Sequence, residues 1–240
     1  MIWMGKRLLQ QRRGAKKSIS PSHRHRGKVS YPPVPSGEGV VVDLIHAPGR
    51  TTPLAKVRLE DHGTILMIPP EGLRVDQTIR IGEGAKAETG SVLPLKAIPV
   101  GTHVFNIESR PGDGGKFVRS AGQSATLVSA GTRPVVQLPS GQFRAFEPEC
   151  RATVGRTAGG GHKAKPMAKA GKKVHTLNSK AANYPRVRGV AMNPVAHPHG
   201  GGGHQHVGRP STVSANAPPG RKVGRLSPKK KRGKRKKGRR

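Results

Sequence analysis

The stretch Ala55-Lys56-Val57-Arg58-Leu59-Glu60 alternates apolar and charged side chains. This two-residue period is typical of a β-strand with one buried and one solvated face. Short apolar runs of similar length lie nearby: Val40, Val42 and Leu44 on one face of a run, 65–68 as a fully apolar run, and Ile79 with Ile81 on either side of Arg80. Turns rich in Gly and Pro separate these runs, so four or five strands are predicted, as in a small antiparallel barrel of the OB type.

The segment Leu93-Pro94-Leu95-Lys96-Ala97-Ile98-Pro99 interrupts this pattern, because proline cannot donate a hydrogen bond to a central ladder. We place a domain boundary there. A second group of apolar runs follows and predicts a barrel of SH3-like size, with a tight hairpin at 138–142; the runs are 104–107, 117–118, 125–128, 135–138, 143–146 and 152–154. The best helix candidate is a short turn at 166–173, which Gly171 weakens.

The chain is therefore predicted to be mostly β. We expect a basic N-terminal extension at 1–36, an OB-fold barrel at 37–95, an SH3-like barrel with its exit segment at 96–175, and a basic Gly/His/Pro-rich extension at 176–240. The run Tyr31-Pro32-Pro33-Val34-Pro35 is interpreted as an extended linker that closes the first extension.

The charges are strongly segregated along the sequence. Of 240 residues, 45 are Lys or Arg and 12 are Asp or Glu, and every acidic residue lies between Glu38 and Glu149. Residues 31–150 carry equal numbers of acidic and basic side chains, so the whole net charge of +33 comes from 1–30 and 151–240. Segments with this composition stay disordered without a counter-charge, which a nucleic acid, an anionic membrane or an acidic protein could supply.

A membrane partner is disfavoured because no apolar run approaches the ~20 residues of a spanning helix. The opening Met1-Ile2-Trp3-Met4 is too short for the apolar region of a signal peptide, so no targeting segment is predicted. Cys150 is the only cysteine, which excludes an internal disulfide and a cysteine-based zinc site and fits a reducing compartment.

The loop Pro111-Gly112-Asp113-Gly114-Gly115-Lys116-Phe117 is rich in glycine but lacks the spacing of a Walker loop, which excludes nucleotide hydrolysis on that ground. Two interpretations stay open for this loop. One is a structural hairpin loop. The other, which Arg110 and Arg119 favour slightly, is a backbone nest whose N–H groups bind a phosphate together with Lys116.

Four histidines, His197, His199, His204 and His206, form an H-x-H-x4-H-x-H pattern. Imidazoles suit zinc, but no carboxylate follows Glu149 to complete or orient such a site, so no metal is predicted. Imidazoles also donate to phosphate and ribose, and Gly200 to Gly203 predict a surface that a partner can approach closely. The surrounding stretch, 186–206, is expected to take its shape from that partner.

The small number of aromatic residues bears on which type of nucleic acid the protein binds. One Trp, two Tyr and four Phe are scattered along the chain, too few for base stacking on a single-stranded RNA. Recognition of a folded, largely double-stranded RNA by phosphate, 2′-hydroxyl and shape fits better. The terminal run 229–240 is weak evidence alone, since nonspecific tails look the same.

Three motifs carry a resemblance to a known family. They are 111–122, Cys150-Arg151-Ala152-Thr153-Val154-Gly155, and above all Arg188-Gly189-Val190-Ala191-Met192-Asn193-Pro194-Val195-Ala196-His197-Pro198-His199-Gly200-Gly201-Gly202. Over roughly 5–225 the sequence resembles the universal family of large-subunit ribosomal protein number two, in its archaeal and eukaryotic branch. Ala196 stands where many relatives have Asp, which weakens any role that needs a carboxylate-oriented imidazole.

The resemblance implies an OB-fold barrel, an SH3-like barrel and extensions buried in large-subunit ribosomal RNA. It also implies a structural role in subunit association, transfer-RNA binding and the architecture of the peptidyl transferase centre, without catalysis by the protein. Expected partners are this RNA, neighbouring ribosomal proteins and the small subunit, with no membrane, no homo-oligomer, no cofactor, and Mg²⁺ only as part of the RNA. The place of action is the cytoplasmic ribosome.

The residues predicted to contact RNA are mostly cations, with the His/Gly motif among them. They are Arg12, Arg13, Lys16, Arg24, Arg26, Lys116, Arg119, Lys163, Lys172, Lys173, Arg186, Arg188, Asn193, His197, His199, Gly200, Gly201, Gly202, Arg209, Arg221 and Lys222. The sequence also permits two rival functions. A DNA-compacting chromatin-type protein would explain the extensions but not the two barrels, and a His-cluster metal-binding enzyme lacks carboxylates in that region.

Overall fold

The structure is a computed structural model of the 240-residue chain. It describes residues 21–60, 63–162, 164–180, 182 and 184–228. Two compact units divide the chain: 21–166, here called the body, and a second unit whose described residues begin at Met167, here called the C-terminal unit. The predicted RNA contacts Arg12, Arg13, Lys16 and Lys163 and the terminal run 229–240 lie outside the described residues.

The described part of the protein is mostly β, as predicted. Where the structure describes it, the body contains ten strands: β1 (Gly37–Ile45), β2 (Leu54–Leu59), β3 (Gly63–Met67), β4 (Thr78–Ile81), β5 (Val92–Pro94), β6 (His103–Phe105), β7 (Ala125–Ser129), β8 (Val135–Gln137), β9 (Phe143–Ala145) and β10 (Arg151–Val154). The C-terminal unit contains the helix α1 (Ala170–Asn178) and the short strands β11 (Thr212–Val213) and β12 (Arg225–Leu226).

The ten strands of the body form a single hydrogen-bonded sheet in the order β3-β2-β1-β4-β5-β10-β6-β7-β8-β9. Two large apolar cores underlie it, and a third, smaller cluster includes Leu54 of β2 and Phe105 of β6. The first is built mainly from β1 to β4 and includes Val41, Val57 and Ile79; the second is built from residues after β4 and includes Leu93 and Leu127. This arrangement is consistent with the predicted OB-fold barrel followed by an SH3-like barrel.

Alternation in the sequence predicts most of the strands correctly. Ala55, Val57 and Leu59 are buried on one face of β2, and Ile79 and Ile81 are buried on β4. The predicted hairpin at 138–142 is confirmed, since the amide of Leu138 donates to the carbonyl of Gln142 at 2.9 Å. The predicted run 117–118 forms only an isolated bridge, between Phe117 and Ile107.

Strand β1 uses a different face from the one that the sequence suggests. Val41 is fully buried, whereas Val42 and Leu44 are each 39% exposed. The reason is that Val41 pairs directly with the buried Val57 of β2, so the adjacent Val42 lies on the opposite face of the strand. The interpretation of Val40, Val42 and Leu44 as one apolar face was therefore wrong as a guide to the core.

The segment around Pro94 does not interrupt the sheet. Val92 to Pro94 form β5, which lies between β4 and β10, and Pro94 pairs in register with Arg151. Pro94 is the last residue of the strand, and the next amide, that of Leu95, donates to the carbonyl of Cys150 at 2.9 Å. The missing N–H is thus tolerated because the ladder resumes one residue later. The division into two barrels at this point stays a prediction.

The proline run near residue 31 is also more than a linker. The side chain of Tyr31 is buried in the first core, and its hydroxyl donates to the carbonyl of Asn106 at 2.8 Å and contacts the hydroxyl of Thr153 at 2.7 Å. Arg151 donates to the carbonyls of Pro32 and Val34 at 2.9 and 3.1 Å. These contacts fix the run to the body, so its interpretation as an extended linker was wrong.

The helix α1 begins later than the predicted turn and runs five residues further, to Asn178. Gly171 stands in its first turn, where the backbone N–H groups have no helical partner in any case. None of the residues of α1 is buried. No helix in the described ranges is long and apolar enough to cross a membrane.

Candidate nucleic-acid interface

The stretch around the His-Pro-His-Gly motif folds back on itself through short-range hydrogen bonds. A 3-10 turn forms at Gly189–Ala191. After it, the backbone N–H groups of Ala196 and His197 donate hydrogen bonds to the carbonyl of Asn193, at 3.0 and 3.2 Å. The backbone N–H of Gly201 then donates a hydrogen bond to the carbonyl of Met192 at 3.1 Å, which closes the loop. The shape of this segment is therefore held within the chain, which corrects the expectation that a partner alone supplies it.

His197 is the best-fixed side chain of this segment. Its ring lies directly against Gly189, where a Cβ atom would collide with the imidazole. Its Nδ1 accepts the backbone N–H of His199 at 3.0 Å, so the proton of the neutral ring is on Nε2. Burial, together with the charge that His199 can carry, lowers the pKa of His197. The arrangement thus favours a neutral imidazole that offers an Nε2–H donor.

The glycines of the motif do not all leave open surface. A Cβ atom on Gly200 would collide with the carbonyl of Asn193, and one on Gly201 would lie 2.5 Å from Cγ of Pro194. Gly203, in contrast, has no atom within 4 Å of its Cβ position. The prediction that all four glycines form an approachable surface is corrected: Gly200 and Gly201 serve the packing of the chain itself.

The four histidines of the motif do not converge. The rings of His197 and His199 lie 5.1 Å apart in an edge-to-face arrangement, while His204 and His206 are exposed. Among the described residues, no three His, Cys, Asp or Glu side chains lie close enough together to hold a metal ion.

A cavity of about 510 Å³ lies in the C-terminal unit. Three residues predicted to contact RNA line it: His199, Arg209 and Arg221. Within the described residues, neither arginine side chain has a hydrogen-bond or ion-pair partner, and the sequence has no carboxylate after Glu149 to neutralise them. The cavity is therefore cationic and open to an anionic ligand.

The other predicted contacts of the C-terminal unit are spread over its surface. Arg188 donates to the side-chain oxygen of Gln205 at 2.7 Å, and the ammonium of Lys173 lies 4.9 Å from the ring centre of Tyr184. Lys172 and Arg186 are exposed and Lys222 is half-buried. After Thr157, no described residue is buried, so these cations rest on a surface without a core.

The body contributes two arginines whose charges interact and that form no salt bridge with a carboxylate among the described residues. Arg119 donates to the carbonyls of Gly115 and Val29 at 2.7 and 2.9 Å, and its Nε is buried without a partner. Burial lowers its pKa, and the nearby charge of Arg50 lowers it further. Burial also lowers the pKa of Arg50, whose Nε donates to the carbonyl of His23 at 3.0 Å. The charges of Tyr31 and Asp113 oppose this lowering of the Arg119 pKa only in part, so two partly buried like charges that interact favour a further anion beside them.

Sequence reasoning included Arg119 but missed Arg50. The two residues are far apart in the sequence, and nothing local to Arg50 distinguishes it from other basic residues of the neutral region. The predicted contacts Arg24 and Arg26 lie in the exposed turn beside His23, where Arg26 donates to the carbonyl of His46 at 3.3 Å.

The glycine-rich loop at 111–117 is a structural loop. The amides of Gly112 and Gly114 donate to the buried carboxylate of Glu108 at 3.3 and 3.1 Å. The amide of Gly115 donates to Asp113 at 3.0 Å, and Lys116 forms a 3.1 Å salt bridge with the same carboxylate. Burial opposes the ionisation of Asp113, but these bonds hold its pKa below the usual value. The phosphate-nest interpretation is thus disfavoured, because acidic side chains already occupy the loop's N–H groups.

A β-rich body that contains every carboxylate of the sequence, followed by a cationic unit whose described residues include no buried side chain, defines a class of protein: a β-barrel protein with a polycationic extension. Residues 88–219 match the family model described as Ribosomal Proteins L2, C-terminal domain. The chain is 51% identical to the large ribosomal subunit protein uL2 of Methanothermobacter thermautotrophicus, over 93% of this chain and 97% of the relative. It is also 51% identical to the uL2 of Methanocaldococcus jannaschii, over the same shares. The chain therefore belongs to the uL2 family of large-subunit ribosomal proteins, which confirms the resemblance noted in the sequence.

Proposed function

We propose that this chain is a structural constituent of the cytoplasmic large ribosomal subunit that binds the ribosomal RNA of that subunit. Its role would be to support subunit association, transfer-RNA binding and the architecture of the peptidyl transferase centre. Its partners would be this RNA, adjacent ribosomal proteins and the small subunit across the interface. It would need no cofactor of its own, and Mg²⁺ would enter only with the RNA.

The observation that carries this proposal is the C-terminal unit itself. Its described residues, 167–228 apart from 181 and 183, include no buried residue, and the sequence places no carboxylate there. A segment with this composition gains little from burial and suffers self-repulsion, so it needs an external polyanion to be stable. Folded RNA supplies phosphates at the required density.

The body supports the same conclusion independently. Arg50 and Arg119 are partly buried and their charges repel each other, and Arg119 retains a buried Nε that lacks a partner among the described residues. Arginine is well suited to bind phosphate because its planar fork donates in a bidentate geometry. A contact between this pair and the RNA backbone would anchor the body as well as its extension.

Sedimentation of the tagged protein from a cell lysate tests this proposal. We expect the protein to co-migrate with large-subunit RNA and to dissociate from it as salt is raised. Recovery mainly with DNA would instead support a chromatin-type protein, and recovery without nucleic acid would contradict both functions.

We further propose that the protein contributes no catalytic group. His197 is oriented by a backbone amide and by Gly189, with no carboxylate after Glu149 to act as its partner. Particles carrying His197→Gln or His199→Gln should form peptide bonds at near-normal rates, whereas incorporation of the protein should be reduced. A rate loss of the ~10²–10⁴-fold typical of a general acid or base, in particles of normal composition, would contradict this.

A further inference from the structure

The cavity of the C-terminal unit is formed by residues of a single stretch, Pro198 to Val223, that folds back on itself. Two backbone hydrogen bonds hold its walls together. The N–H of Arg225 donates to the carbonyl of Ser211 at 2.9 Å, and the N–H of Ser227 donates to the carbonyl of Val213 at 2.8 Å. These bonds belong to the β11–β12 pairing, which is parallel. On one side the ring of His199 approaches Gly224, whose Cβ position lies 3.3 Å from the imidazole Cε1. The cavity is thus a product of the fold of this unit.

The cavity is lined by cations, apolar surfaces and a side-chain amide. Arg209 and Arg221 supply two cations without partners among the described residues. Pro198, Pro210 and Pro218 supply apolar surfaces. The side chain of Asn216 adds an amide with both donor and acceptor atoms. Cations, flat apolar walls and one two-sided hydrogen-bonding group match the phosphate, the ring faces and the edge of a nucleotide.

We propose that this cavity receives one unstacked nucleotide of the bound RNA. Its phosphate would lie against Arg209 and Arg221, and its base between the proline surfaces and the imidazole of His199. The volume of about 510 Å³ is within the range of pockets that hold one small ligand, and a duplex is too wide to enter it. Nucleotides splayed from loops and bulges are the usual targets of specific recognition in RNA. This proposal rests on the proposed RNA-binding function.

Filling the cavity tests the proposal. Ala217 lines it and is half-buried, whereas Ala215 is exposed two residues away and does not line it. We compare purified particles that carry Ala217→Phe or Ala215→Phe by probing the RNA with a reagent that acylates mobile 2′-hydroxyl groups. Ala217→Phe should make one nucleotide about fivefold or more reactive, the lower end expected from loss of one stacked base, and Ala215→Phe should leave it unchanged.

A second pair of variants keeps the test decisive if the phenylalanine prevents incorporation. Arg221→Gln removes a cavity cation without adding bulk, and Arg225→Gln removes an exposed cation of β12 outside the cavity. Only the first should raise the reactivity of a single nucleotide. Equal effects of the two variants, or no localised change with either cavity variant, would overturn the proposal.

The result separates this proposal from the general function. If the cavity is empty in the complex, Ala217→Phe and the unmodified protein will co-sediment with large-subunit RNA and give the same probing pattern, and RNA binding itself will stand.

A free nucleotide has the same chemical groups and is the alternative ligand for this cavity. Binding of adenosine monophosphate by the RNA-free protein with a dissociation constant below about 10 μM, the affinity of a dedicated ligand, would overturn the assignment to RNA.

Discussion

Glu108 and Arg151 form an ion pair inside the body, with 3.0 Å between Oε1 of the glutamate and Nη2 of the arginine. The side chain of Glu108 is fully buried and also accepts the amides of Gly112, Gly114 and Arg151. The remaining donors of Arg151 bind the carbonyls of Pro32 and Val34. One buried carboxylate therefore joins the glycine-rich loop, β10 and the proline run at the start of the body.

Replacement of Glu108 by Gln should strongly destabilise the body, because it leaves the Arg151 guanidinium largely buried without its counter-charge. Removal of one partner of a buried pair typically costs about 3 to 5 kcal/mol in the free energy of unfolding. Urea unfolding of the full chain measures this. Glu38→Gln is the matched control, since Glu38 and Arg80 form an exposed pair at 3.0 Å that is worth about 1 kcal/mol or less. Similar losses in the two variants would contradict the role assigned to Glu108.

Tyr31 should remain protonated in the folded protein at a pH where an ordinary tyrosine ionises. Its burial raises its pKa above the usual value of about 10. A folded-state pKa above the unfolded one means that the stability contributed by Tyr31 is present below about pH 10 and is lost as the pH rises further. Spectrophotometric titration of tyrosinate should show one of the two tyrosines ionising only as the body unfolds. In Tyr31→Phe this delayed step should disappear; its persistence would contradict the assignment.

Gly189→Ala should disturb the His-Pro-His segment, whereas Gly203→Ala should not. The added methyl group at 189 collides with the ring of His197, while the Cβ position of Gly203 has no neighbour within 4 Å. We expect Gly189→Ala to displace the imidazole and change the chemical shift of its Cε1 proton, and to reduce incorporation into particles. Equal behaviour of the two variants in the NMR spectrum and in incorporation would show that the ring is not packed on Gly189.

Arg50→Gln and Arg119→Gln should each weaken RNA binding and flatten its dependence on salt. Each phosphate contact that is lost changes the slope of log K against log salt by about 0.9 on a duplex. Lys96→Gln is the control, because Lys96 is paired with Glu83 and Glu149, which raise its pKa to about 12. Filter binding over a range of salt concentrations measures the slopes. An unchanged slope for both arginine variants would remove the body from the RNA interface.

The strands could be predicted because their signal is local. Alternation at Ala55, Val57 and Leu59 needs no knowledge of a partner strand, and the structure buries all three. The core face of β1 could not be predicted in the same way, because Val40, Val41 and Val42 are all apolar and only the pairing of Val41 with Val57 decides which of them is buried. The burial of Tyr31 likewise depends on Asn106 and Thr153, which are 75 and 122 residues away.

The parts of the candidate site that have a local sequence signal could also be predicted, and the parts that depend on contacts between separated residues could not. The His-Pro-His-Gly motif was recognised because it is contiguous, and the cationic extension because charge needs no structure to be counted. The cavity could not be predicted, since His199, Arg209 and Arg221 meet only through the pairing of β11 with β12. The loop at 111–117 was ambiguous in the sequence because Glu108, the acceptor that decides between the two interpretations, lies just outside the motif.

The position of β10 in the sheet sets an order of events during synthesis. This strand lies between β5 and β6, so the two halves of the sheet cannot be joined through it until residues 151–154 have been made. At about 5 to 20 residues per second, roughly 3 to 12 seconds separate the completion of β5 from that of β10. Until then β5 has one open side and Glu108 has no counter-charge from Arg151. The sheet is therefore completed just before the C-terminal cationic extension is made, and this timing limits how long a half-finished sheet and that extension coexist in the nascent chain.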